Sequence, residues 1–129
     1  MITYLLIAIG GAIGSVARFA GSSLISGWFG QTFPWGTLIV NVSGSFVIGF
    51  FSALTGPDGR LMVSGDVRQF VTVGICGGYT TFSSFSLQTL DLARDGHASA
   101  ALGNIGLSLV GCLGACWLGY LAAAALNRG

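Results

Sequence analysis

The sequence predicts an all-α membrane protein with four transmembrane helices. Of its 129 residues, 53% are hydrophobic and 7% charged, whereas a soluble domain carries roughly 25% charged residues. Residues 1–17, 19–57, 69–90 and 96–127 contain no ionised side chain. A helix needs roughly 20 residues to cross the hydrocarbon core, and the turn-forming stretch 27–34, ending in Pro34, divides the longest run in two. The spans then fall at about residues 2–26, 35–54, 67–92 and 98–126, one transmembrane domain that fills the chain. The charged set is five Arg and four Asp, with neither Lys nor Glu. A net charge of +1 offers no electrostatic footprint for nucleic acid.

Span one opens on Met1-Ile2-Thr3-Tyr4, which lacks the basic start of a signal peptide and leads into an apolar run too long for one. It carries a GxxxG pair, Gly10 and Gly14, followed by Arg18. Span two places Thr37 and Asn41 one turn apart on the same face. A buried amide is costly without a partner, so Asn41 must bond either another helix or a permeating species, and its NH₂ group has two donors to give.

Span three reads Gly77-Gly78-Tyr79-Thr80-Thr81-Phe82-Ser83-Ser84-Phe85-Ser86 at its centre. The Gly pair allows either a continuous helix packed tightly on a neighbour or a helix broken mid-membrane, and the hydroxyls that follow favour the break. Non-helical backbone in a bilayer must be satisfied by protein, water or an ion. Carbonyls freed at the end of a half-helix suit a cation, while the N–H groups opening the next suit an anion. Phe82 and Phe85, three residues apart, share a face, and aromatic rings have electropositive edges. Span four carries Asn104 and Ser108 on one face, and Gly111, Ala115 and Gly119 on another stripe. Small-residue stripes in three spans, with Gly74 and Gly78 in the third, predict a compact homo-oligomer.

Cys76, Cys112 and Cys116 all lie within spans, odd in number and without a CxxC pattern, and read as small apolar side chains. His97 is the only histidine and sits in the short turn before span four. No acid–base–nucleophile constellation exists at matched depth, which argues against an enzyme. Alternating spans put Arg60, Arg68 and Arg128 on the side of the N-terminus and Arg18 and Arg94 nearer the other. Three against two is almost no bias by the positive-inside rule. Either one topology is set by other residues, or the chain inserts both ways and pairs antiparallel.

Gly10-Gly11-Ala12-Ile13-Gly14 with Arg18, Gly36-Thr37-Leu38-Ile39-Val40-Asn41 with Gly44, Ser45 and Phe46, and the GGYTTFSSFS stretch starting at Gly77 resemble the Fluc-type fluoride channels, the CrcB family. The resemblance covers essentially the whole chain. It implies a bacterial multi-pass protein of the inner membrane, an antiparallel dual-topology homodimer with two fluoride pathways that passively export the anion. By position, Phe82 and Phe85 would present ring edges to fluoride and Asn41 an amide donor, with Thr37, Ser83, Ser84 and Ser108 along a polar track. The backbone carbonyls of Gly77 and Thr80, doubled by the second subunit, would hold a central structural Na⁺, and Arg18 would be structural at the membrane interface. Two positions depart from the family pattern: Gln88 stands where many members carry Glu, and Asn104 where a Tyr is expected.

The rival is a small proton-coupled exporter of the multidrug type, also of four spans. It needs an acid within the membrane, and Asp58, Asp66, Asp91 and Asp95 all fall in loops or near span ends.

Overall fold

A computed structural model describes all 129 residues, Met1–Gly129. The chain is helical throughout, without strands: α1 (Ile2–Phe29), α2 (Trp35–Leu54), α3 (Gly65–Gln69), a π-helical segment (Phe70–Cys76), α4 (Gly77–Tyr79), α5 (Phe82–Arg94) and α6 (Ala98–Arg128). Three of these, α1, α2 and α6, are long and apolar enough to cross a membrane. At 1.5 Å per residue, α2 with its 20 residues is about 30 Å long, the thickness of the hydrocarbon core. The region expected as the third span is segmented. Its longest piece, α5, has 13 residues and covers only about 20 Å.

Local chemistry explains the ends. α1 stops at Gly30, whose φ of 85° is left-handed backbone open to glycine, and whose N–H returns to the Ser26 carbonyl. α3 starts on Ser64, whose hydroxyl accepts from the Val67 N–H at 3.2 Å. Gly96, with φ 84°, turns the chain between α5 and α6, and the next N–H, of His97, bonds back to Leu92 at 2.8 Å.

Two layers of packing position everything else: α2 lies along α6, and α1 lies along the π-helical segment and α4. Both crossings depend on small residues. A Cβ on Gly10 would sit 2.7 Å from the Phe70 carbonyl oxygen and 3.0 Å from the Gly74 Cα. On Gly78 it would sit 2.6 Å from the Gly11 oxygen, on Gly49 it would strike the Cys116 carbonyl, and on Gly119 the Phe46 carbonyl. The stripes expected to join subunits are therefore used inside the chain. These contacts join helices far apart in sequence, whose backbones the small residues allow to approach.

The distribution of bulk is inverted relative to a water-soluble domain. Gly10, Gly14, Gly44, Gly49, Gly74 and Gly119 are buried, while Val16, Phe19, Val110 and Leu113 are largely exposed. Such a surface is stable only against an apolar solvent.

Candidate functional site

Backbone leaves the helical region at two consecutive residues, Thr80 (φ −88°, ψ 156°) and Thr81 (φ −151°, ψ 112°). The break expected at Gly77-Gly78 is thus displaced: Gly77 is helical (φ −64°, ψ −37°) and α4 continues to Tyr79. Gly78 is small because α1 needs the space, whereas the threonines can turn their hydroxyls to the backbone and end or start a helix.

Several of the polar groups at the interruption have defined partners. Asn41, buried on α2, grips Thr81 with both ends of its amide: Oδ1 accepts the Thr81 N–H at 2.8 Å and Nδ2 donates to the Thr81 carbonyl at 3.0 Å. Thr81 caps α5, its hydroxyl oxygen accepting from the Ser84 N–H at 3.2 Å. Arg18 Nε donates to the Gly78 carbonyl at 3.0 Å, and both the N–H and the hydroxyl of Thr80 donate to the Cys76 carbonyl, at 3.0 and 2.9 Å. In an uninterrupted helix the Thr81 N–H would bond Gly77 and the Ser84 N–H would bond Thr80. Both donors are diverted, which frees the carbonyls of Gly77 and Thr80 from their usual helical partners.

Beside the interruption lies a cavity of about 340 Å³ whose wall includes Asn41, Gly77, Thr80, Phe82, Phe85 and Ser108. The two phenyl rings are 5.2 Å apart between centroids and inclined at 50°. Phe85 is 9% exposed and Phe82 73%, so one ring is fixed in the chain while the other projects from it. No charged side chain lines the cavity. Gly44 makes room for the interruption, since a Cβ there would strike the Thr80 methyl and come within 3.0 Å of the Tyr79 ring.

Residues 5–120 match the family described as CrcB-like protein, Camphor Resistance (CrcB). A relative from Rhodospirillum rubrum, named fluoride-specific ion channel FluC, is 59% identical over 127 residues, covering 98% of each chain. One of the same name from Opitutus terrae is 61% identical, covering 98% of this chain and 96% of its own. A third, from Paramagnetospirillum magneticum, is 53% identical over 99% of this chain and all of its own. The chain belongs to the CrcB family.

In this CrcB-family chain the expected site residues separate into two groups. Asn41, Phe82, Phe85, Ser108, Gly77 and Thr80 meet at one cavity. Thr37 is buried a turn away on α2 and does not line it. Ser83 and Ser84 turn to the Thr81 hydroxyl, each at 3.2 Å. Arg18, expected to be structural, ties α1 to the Gly78 carbonyl of α4. Asn104 is 2% exposed and donates to Thr89 Oγ1 at 2.9 Å, Thr89 donates to the Phe85 carbonyl at 2.7 Å, and the Ser108 hydroxyl lies 3.4 Å from Asn104 Oδ1. A polar chain thus joins Ser108 to the backbone of Phe85. Gln88 Oε1 is buried without a hydrogen-bond partner.

Thr81, held through its backbone by Asn41 and capping α5 with its hydroxyl, is the residue on which the interruption turns. A threonine followed by a helical run is an N-cap signal, and that signal was available. The contact of Ser43 with the Tyr79 hydroxyl at 2.9 Å, and the presence of Cys76 and Cys112 in the cavity wall, carried no sequence signal of their own.

Proposed function

We propose that this chain is a passive, fluoride-selective channel that exports F⁻ across a bacterial inner membrane, working as an antiparallel homodimer with two pathways. The observation that carries the proposal is the convergence of Phe82, Phe85, Asn41 and Ser108 on one uncharged cavity in a chain about 60% identical to proteins named fluoride-specific channels. The segments from α3 to α5 form the third crossing, interrupted at mid-depth.

Fluoride is small and strongly hydrated, so conduction requires that its water be replaced by donors that hold it weakly enough for release. Asn41 keeps one amide N–H beyond the one given to Thr81, Ser108 supplies a hydroxyl, and the Phe rings supply positive edges. No arginine lines the cavity, so no fixed cation traps the anion. Thr37, Ser83 and Ser84 extend the track on either side. The carbonyls of Gly77 and Thr80, with their mates from a second subunit, would offer hard oxygens suited to a structural Na⁺, whose charge would offset the carbonyl dipoles freed at the interruption. No acid lines the cavity, which disfavours a proton-coupled exporter.

Reconstitution in liposomes tests this directly. Fluoride efflux measured with an ion-selective electrode is expected to be rapid and to need no proton gradient, with chloride efflux at background. Proton-dependent drug uptake, or absence of fluoride flux from correctly inserted protein, would reject the proposal. A narrower expectation concerns the rings: Phe82→Ile or Phe85→Ile removes the positive edge but keeps an apolar side chain. Fluoride flux should fall at least ten-fold, equivalent to about 1.4 kcal/mol in barrier, while size-exclusion chromatography still reports a dimer. Unchanged flux in both variants would reduce the pair to packing.

A further inference from the structure

At the end of the molecule remote from the Phe29–Trp35 cluster, the last turns of α2 and α6 border a depression of about 850 Å³. Its polar wall includes Ser52, Arg68, Asn127 and Arg128, and its apolar wall Ala53, Leu121 and Ala124. We propose that it binds the phosphate of an anionic phospholipid, whose first acyl carbons lie along the apolar wall.

Arg68 is half-buried at the floor and held in place by two neutral acceptors, Thr55 Oγ1 at 3.2 Å and the Ser52 carbonyl at 3.4 Å. Those contacts use two of its five N–H donors and leave its charge uncompensated. Arg128 stands opposite, in the last turn of α6. Asn127 ties the two helix ends together, donating to the Ala53 carbonyl at 3.2 Å and accepting the Arg60 N–H at 2.8 Å, while the Arg60 guanidinium reaches the Leu126 carbonyl at 3.2 Å. Three of the five arginines thus gather at one end, with Asp58 the single acid in the wall. A guanidinium whose position is already fixed suits the bidentate recognition of phosphate oxygens. The helix ends lie at headgroup depth, where an anionic lipid is far more concentrated than free phosphate. An apolar wall beside the arginines fits a diacyl phosphate, whereas an inorganic ion would leave that wall unused.

Native mass spectrometry of the full-length protein with added phosphatidylglycerol or phosphatidylcholine tests the proposal. The wild type should retain phosphatidylglycerol in preference to phosphatidylcholine. Each arginine is worth about five-fold in binding to an anionic lipid, so R68Q/R128Q should lose phosphatidylglycerol retention about 25-fold with phosphatidylcholine unaffected. Arg128 bonds nothing else in the chain, so R128Q alone, expected about five-fold weaker, keeps the test valid if loss of Arg68 disturbs folding. Equal phosphatidylglycerol retention by the wild type and R128Q would overturn the proposal. So would displacement of the lipid by millimolar inorganic phosphate, which would mark a site for the free ion. Fluoride flux of R128Q should match the wild type.

Discussion

Asn41→Leu is expected to abolish fluoride flux and to destabilise the protein by several kcal/mol. The side chain is nearly isosteric, so the loss is almost purely polar. Leucine leaves both the N–H and the carbonyl of Thr81 unpaired, the two groups that Asn41 now holds at 2.8 and 3.0 Å. Each buried polar group stranded without a partner costs about 1–3 kcal/mol. Two together approach the ~5–15 kcal/mol that typically separates folded from unfolded chains, and no water is at hand in a bilayer to relieve them. The interruption would respond by closing into a continuous helix, which restores the Thr81-to-Gly77 bond and removes the freed carbonyl. Denaturant unfolding in detergent and liposome flux measure the two consequences. Wild-type values for both would show that the grip on Thr81 is dispensable.

Gly14→Ala is the second large effect, and Gly11→Ala is its internal control. Alanine is favoured over glycine in a helix by about 1 kcal/mol, so on local grounds both changes should stabilise α1. At Gly14, however, the new methyl would lie 2.8 Å from the Tyr79 nitrogen and strike the Ile75 carbonyl. Those atoms are backbone and cannot rotate away, so α1 must back off from the π-helical segment and α4. Overpacking of this kind costs about 1–3 kcal/mol, and here it also moves the Gly78 carbonyl relative to Arg18. A Cβ on Gly11 meets nothing within 4 Å. The expected result is a clear drop in unfolding midpoint and flux for Gly14→Ala and little change for Gly11→Ala. Equal losses in the two would place the sensitivity elsewhere on α1.

Composition made the environment legible because its cause is one-dimensional. Long uncharged runs require an apolar solvent whatever their packing, and the bounds of α2 follow from Pro34 before it and the end of the apolar run after it. The chemistry at the cavity was half legible. Phe82, Phe85, Asn41 and Ser108 stood out because aromatic spacing and buried amides demand an explanation within the chain itself. The residues that shape the interruption were harder to assign. Gly77-Gly78 reads as the weakest helical point by propensity, yet it stays helical where Gly78 packs on Gly11 and its flanking residues pack on Gly10 and Gly14, and the chain opens at Thr80.

The sequence by itself determined that this protein lives in a membrane, handles its cargo without fixed charge at the cavity, and belongs with the fluoride channels in its motifs. Tertiary structure alone decided where the helix is interrupted, that Arg18 serves the Gly78 carbonyl, and that the glycine stripes join helices of one chain. The reason is the same in each case. Hydrophobic patterning is written in neighbouring residues, whereas the fates of the Thr81 N–H and the Gly78 carbonyl depend on groups about 40 and 60 residues away in sequence, which meet only once the backbones have closed to glycine distance.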